Sequence, residues 1–239
     1  MNTLNIKLYV KNYFLRELLY PDVGLISYYF YVINLNEMQP FAEGGNRRCF
    51  IHPEKENRCL KVTVEGRAKI LKQNAPWYKQ LRSVESFDDN LREKEGYAQR
   101  ALKKNHLNKW KHLAIWYGIV ETSIGLASET ELIRDHENNV AITLEKYLLT
   151  FGMTERIKRA ISDLESWLRL TLILTKDILP HNIVVGDEDG QLILKIIDGL
   201  GSKSFLPIVN ISNFFAKIYV ERRIKLMHFR INQDLSKQM

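Results

Sequence analysis

The 239-residue sequence predicts an α+β fold, with a small antiparallel β-sheet region followed by a compact, mainly helical one. Three observations carry this. Short apolar and β-branched runs separated by Gly, Asn and Pro turns fill residues 37–64. Ile157, Ile161, Leu164, Leu168 and Leu172 recur at helical spacing. A hairpin pattern, Ile183-Val184-Val185 and then Leu192 to Ile197 across an Asp/Gly turn, follows Asp177 and Asn182 and ends in Asp198. The organisation read from this is an N-terminal extension of unread role (1–36), a β-rich region (37–133) and a helical region carrying the hairpin (134–239).

In chain order, residues 1–36 are aromatic and β-branched and suggest a strand or short helix followed by a strand. Met38 to Ala42 is extended, Glu43-Gly44-Gly45-Asn46 turns, and Arg48 to Ile51 is a strand. A polar turn leads to the strand Cys59 to Val64, in which Leu60, Val62 and Val64 share one face and Lys61 points to the other. Residues 66–87 are basic with Trp77 and Tyr78, and read as a surface loop. Ser86 or Asp88 caps a helix to about Lys104, whose apolar face is Leu91, Ala98, Ala101 and Leu102. By periodicity Glu95 lies nearer that face than Glu93. Two strands, His112 to Val120 and Ile124 to Ile133, follow. Thr143 begins a helix, Thr154 caps a longer one, and Ile211 to about Gln233 is helical with a basic stripe.

Apolar residues make up 45% of the chain and charged residues 26%, the balance of a globular protein rather than a disordered one. The net charge of +7 favours anionic partners. Two cysteines, Cys49 and Cys59, make no disulfide framework and no metal quartet, and read as buried free thiols. No run is long and apolar enough for a membrane span, and the N-terminus lacks the order of a signal peptide, so a cytoplasmic protein is expected.

The chemistry concentrates at the hairpin. Its two strands bring Asp177, Asn182 and Asp198 to one end. Hard oxygen ligands beside a candidate base are what phosphoryl transfer from a magnesium nucleotide requires. The Asp187 to Gly190 turn lacks the spaced ligands of a calcium loop and is a plain turn.

Further text aligns with this reading: Gly44-Gly45-Asn46-Arg47-Arg48-Cys49-Phe50, His52-Pro53, Arg58 to Val62, Arg92-Glu93 with Tyr97-Ala98, Gly118 to Thr122, Ile142 to Leu144, Leu179 to Ile183, Asp198 to Gly201 and Leu206-Pro207. In this order, over about residues 37–230, the chain resembles the protein-kinase-like two-lobe fold. It resembles more closely the PhoP regulatory network protein YrbL family, a bacterial group with kinase-like sequences. The resemblance implies roles. Lys61 would hold nucleotide phosphates and pair with a helix acid, Glu93 by the match. Gly44 and Gly45 would present backbone N–H groups to phosphate. Glu131 to Ile133 would face adenine, Asp177 would take the acceptor hydroxyl's proton, and Asn182 and Asp198 would bind Mg. ATP and Mg are the implied cofactors, and a protein or small molecule the acceptor.

The chain also departs from ordinary protein kinases. Ala42 stands where a first glycine is expected, Thr175-Lys176-Asp177 replaces His-Arg-Asp, and Gly199-Leu200 follows Asp198 without Phe-Gly. Only 41 of the 239 residues follow Asp198, short for a long activation segment. The expectation is therefore a compact atypical kinase or, alternatively, a weak pseudokinase acting as a regulatory interaction protein in a bacterial stress or two-component network. A nucleic-acid-binding protein is the third reading and rests on charge alone.

Overall fold

The computed structural model describes residues 32–103, 108–202, 209 and 212–236. The strand reading for residues 1–31 and the Leu206-Pro207 match lie outside the described residues. Those described form a mixed α+β structure whose five-stranded antiparallel sheet has the order β1-β2-β3-β5-β4. The strands are β1 (Ala42–Glu43), β2 (Arg47–Ile51), β3 (Arg58–Thr63), β4 (Trp116–Thr122) and β5 (Gly125–Glu131). A separate antiparallel hairpin pairs β6 (Ile183–Glu188) with β7 (Gln191–Ile196).

One face of the sheet packs a small core of Phe50, Leu60, Val62 and Ala127. Ile33 and Leu35, read as part of the N-terminal extension, are buried in that core, where Ile33 hydrogen-bonds Glu121 and Ser123. Residues 66–87, expected to be a loop, contain two short helices, α1 (Arg67–Gln73) and α2 (Trp77–Gln80), and a 3-10 turn at Val84–Phe87. Neither short helix buries a side chain, so the sequence carries no apolar stripe to announce them.

Asp88 caps α3 (Asp89–Tyr97) through the Asn90 and Leu91 N–H groups. The expected helix to Lys104 breaks at Ala98 and resumes as α4 (Arg100–Lys103). The Gln99 side chain crosses instead to the backbone of Leu174, donating to its carbonyl and accepting from its N–H.

The larger core is helical. Thr143 caps α5 (Leu144–Phe151) and Thr154 caps α6 (Glu155–Thr171). Of the periodic residues on α6, Ile157, Ile161, Leu164 and Leu168 are buried. The last of them, Leu172, instead closes the helix in the left-handed conformation. The final helix, α7 (Asn213–Ser236), inserts Ala216, Val220, Ile224, Met227 and Ile231 at i, i+4, i+8, i+11 and i+15. Hairpin and sheet are stitched by the 112–115 segment: the His112 carbonyl accepts from Ile196, and Ala114 N–H donates back to Ile196. Among the described residues no helix is long and apolar enough to cross a membrane.

Candidate functional site

The site begins at the sheet. In antiparallel register Cys49 faces Lys61 and Arg47 faces Thr63, so Arg47, Cys49 and Lys61 share the face opposite the Phe50–Leu60–Val62 core. An exposed strand lysine is the ordinary outcome, but Lys61 is only 5% exposed. A buried ammonium needs a partner. Its Nζ donates to Glu93 Oε1 at 2.7 Å and to the Ile197 carbonyl at 2.5 Å. Cys49 and Cys59 are both free. A hydrogen bond with Cys59, opposed by burial and aided by Lys61 and Arg47, lowers the Cys49 thiol to about 7.

Glu93 arrives on α3, whose buried face is Asn90, Glu93, Gly96 and Tyr97. Periodicity preferred Glu95, and this is corrected: Glu95 is exposed and Glu93 is buried. The apolar face expected from Leu91 and Ala98 is not the buried one: this helix buries Asn90 and Glu93 and leaves Leu91 exposed. The other oxygen of Glu93 accepts from Arg47 at 2.6 Å. Arg47 reaches further and donates to Asp198 Oδ2 at 2.5 Å. Sheet, helix and hairpin exit are thus joined by a charged seam, Lys61–Glu93–Arg47–Asp198, buried at its first three residues and half-exposed at Asp198.

The loop at the other side is set by glycine. Gly199 has φ of +80°, and a Cβ there would stand 2.7 Å from the Asp177 carbonyl oxygen. This close approach lets the Gly199 carbonyl accept from the Lys176 N–H. The Asn182 side chain donates to the Asp177 carbonyl at 3.2 Å, and the Ile197 N–H returns to the Asn182 carbonyl at 3.0 Å. Asp198 Oδ1 accepts from the Gly199 N–H at 2.6 Å. On α3, Gly96 leaves room for Leu200, which a Cβ would meet at 2.8 Å. His181, within this loop, is exposed.

These parts line a cleft of about 200 Å³ that gathers Glu93, Asp177, Asn182 and Asp198 with Asn46, Asp89, Arg92, Lys176, Gly199 and Leu200. Burial is the largest single effect and opposes charge on Arg47 and Lys61, yet Glu93 and Asp198 together outweigh it and raise both above their usual range. Burial would raise the Asp198 carboxyl, but Arg47 and then Lys61 hold it below the usual carboxylate range. Lys176 is lowered by burial and by Arg92.

The remaining candidates are not in the wall of this cleft. Gly44 and Gly45 form the turn between β1 and β2, where the Gly44 N–H donates to the Arg47 carbonyl. Asn46, next in line, donates to Asp89 and accepts from Arg67. Glu131 ends β5 with its carboxylate on the Ile115 N–H and Lys195. The Leu132 N–H already donates to Asn57, and the Ile133 carbonyl accepts from Ala141. A base bound at this strand end would have to share those backbone groups.

Residue-by-residue reading missed Arg47, Asn46 and Asp89. The signal for Arg47 was the two-residue strand period, which puts it on the Lys61 face once the register is known. For Asn46 and Asp89 no local signal existed, because they meet across 43 residues of chain.

What emerges is an α+β protein with a buried charged seam behind an acid-lined cleft. The chain belongs to the PhoP regulatory network protein YrbL family, whose model matches residues 33–232. Two relatives, each named "Uncharacterized protein YrbL", from Escherichia coli (strain K12) and Shigella flexneri, are 22% identical over 190 residues. The match spans 77% of this chain and 80% of each of theirs.

Proposed function

We propose that this chain is a kinase-like, two-lobed protein that binds Mg-ATP in the cleft and transfers its terminal phosphoryl group to a hydroxyl acceptor. The observation that carries the reading is the buried Lys61–Glu93 pair at 2.7 Å beside a loop that brings Asp177, Asn182 and Asp198 together. A lysine ammonium so fixed is a point charge suited to polyphosphate. The donor set fits magnesium in kind: Asn182 and Asp198 offer hard oxygens. Among the described residues no three His, Cys, Asp or Glu side chains are grouped to hold a metal by themselves. The remaining ligands would therefore be phosphate oxygens and water. Bound there, the metal would neutralise charge on the transferring group.

The chain's own residues would do the rest. Lys61 and the Gly44-Gly45 turn would hold phosphates, Asp177 would take the acceptor's proton, and Glu131 to Ile133 would face the base. Alignment and charge placement are the main demands of such a transfer.

The test is thermal unfolding of wild type, Lys61→Ala and Asp198→Ala against Mg-ATP. Stabilisation of wild type that disappears in both variants is expected; no shift at millimolar ATP would sink the proposal. Asp177→Ala should keep the stabilisation and lower phosphate release by ~10²-fold or more. A second reading, a binding protein without turnover, is favoured by one observation: both Asp198 oxygens are already engaged, by Arg47 and by the Gly199 N–H. Mg-ATP stabilisation with no phosphate release from wild type would select it.

A further inference from the structure

Arg47 follows the depleted glycine turn after Asn46, and its side chain is bonded to Asp198, one of the two candidate metal ligands. We propose that Arg47 sets what the cleft accepts: as the internal counter-ion of Asp198, it admits a divalent cation only together with a polyphosphate that takes the guanidinium in exchange. This rests on the nucleotide reading above and deepens it.

The argument is one of charge and valence. Arg47 and Lys61 carry two positive charges, Glu93 and Asp198 two negative ones, and all four are joined through bonds of 2.5–2.7 Å. The seam is neutral as it stands. Both Glu93 oxygens are committed, one to Lys61 and one to Arg47. Both Asp198 oxygens are committed too, one to Arg47 and one to the Gly199 N–H. A free divalent cation entering here would add two charges to a balanced cluster and have to expel the guanidinium from Asp198.

An arginine cannot leave by losing its proton, so it must be received by another anion. A polyphosphate can do that, because its oxygens accept the two-pronged guanidinium geometry. The exchange needs little movement. Arg47 keeps its second anchor on Glu93, and the Asp198 side chain is 46% exposed and lines the cleft. Arg92 and Lys176 line the same cleft, together with Asp89 and Asp177, and offer an anion two further positive groups. Binding of anion and of metal is therefore coupled: each removes the obstacle to the other, by the same factor in both directions.

The test titrates Mn²⁺ alone into the full chain, following the free ion by electron paramagnetic resonance, for wild type, Arg47→Gln, Arg47→Lys and the double variant Arg47→Gln/Asp198→Asn. Arg47→Gln should bind Mn²⁺ at least ~10-fold more tightly than wild type, a factor typical of coupled sites. Arg47→Lys should stay weak, and the double variant should lose the gain. Equal Mn²⁺ affinity of wild type and Arg47→Gln, with Mg-ATP stabilisation intact, overturns the role of Arg47 and leaves the nucleotide reading standing. Absence of Mg-ATP stabilisation in both proteins overturns the nucleotide reading and the exchange with it. If Arg47→Gln fails to fold, as circular dichroism would show, wild type decides. ATP in excess EDTA should then raise its unfolding temperature while Mn²⁺ without ATP does not; the reverse pattern overturns the proposal.

Discussion

The helical core around α6 and the seam of Lys61, Glu93, Arg47 and Asp198 both hold distant parts of the chain together, but one is built of hydrocarbon and the other of charge. Leu164, Leu168, Leu194 and Met227 are fully buried against one another and draw α6, α7 and the hairpin together. Such a region is stabilised by removal of apolar surface from water and tolerates no void. The seam joins the sheet, α3 and the hairpin exit through ion pairs whose attraction is offset by the loss of hydration of each ion. A seam of this kind is weak support for a fold. Its placement at the cleft fits the binding role proposed for it, whereas the helical core serves stability.

That contrast can be broken from the apolar side first, where the largest effect is expected. Leu164→Ala removes a side chain with no exposure, and should cost about 3–5 kcal/mol in urea unfolding. It should leave any Mg-ATP affinity of the remaining folded protein within a factor of about two. A comparable loss of affinity would mean that core and cleft are not separate in function.

The seam should answer differently to one change and to two. Glu93→Ala strands the buried Lys61 ammonium, leaves Arg47 with Asp198 alone, and should cost about 3 kcal/mol, the range for breaking a buried pair. Lys61→Met with Glu93→Leu removes one cation together with the anion and leaves Arg47 on Asp198. Its stability should return to within about 1–2 kcal/mol of wild type, while Mg-ATP stabilisation stays abolished. If the double variant is as unstable as Glu93→Ala, the seam carries the fold and the comparison fails.

A smaller effect is expected in the loop that follows the hairpin. Gly199→Ala places a Cβ 2.7 Å from the Asp177 carbonyl at a φ of +80°. The left-handed conformation and the clash together should cost about 1–3 kcal/mol. Because the clash is with backbone, Asp177 and Asn182 must shift, and phosphate release should fall by more than the stability loss explains. Unchanged turnover would show that the loop relaxes elsewhere.

Local signals made much of the fold readable. The Thr154 cap and the leucine spacing define α6, the Asp/Gly turn defines the β6–β7 hairpin, and Asp88 begins α3. Each depends on residues only a few positions apart. Pairings across the chain were less legible. Glu93 was missed by periodicity because α3 turns a polar face inward, and only the family resemblance pointed to it. Arg47 reads as a surface strand arginine until β2 is set in register against β3 and Asp198 is brought within reach from 151 residues away. The Glu131 to Ile133 stretch looked open as an extended segment. Its commitments to Ile115, Asn57, Ala141 and Lys195 arise only when four other segments close around it.

The smallest effect, a dependence on pH, separates the regions most cleanly. Between pH 5 and 8 Arg47, Lys61 and Asp198 should be silent: Arg47 and Lys61 are raised above their usual high ranges, and Asp198 is held below its ordinary 3.8, while Cys49 beside them, lowered to about 7, adds a loss of stability as pH falls through that value. The helical core contains His112, fully buried against Trp167 with Nδ1 on the Leu194 carbonyl. Burial lowers its pKa from the ordinary 6.5, against a smaller opposing effect of that carbonyl. His52, beneath the sheet edge, is lowered by burial too, with Glu129 opposing. Above pH 6.5 both histidines are neutral folded and unfolded, so their contribution is fully present. As pH falls below 6.5 the unfolded chain binds protons that the native chain does not, and stability declines until the lower native values are reached. Urea midpoints from pH 8 to 5 should therefore drop, and His112→Gln should flatten the drop by its own share. Lys61→Met with Glu93→Leu should leave the His112 share of the slope unchanged, since Lys61 stays charged throughout that window. A slope that follows the seam variant rather than the His112 variant would place the acid sensitivity at the cleft and reverse the division between a core that stabilises and a seam that binds.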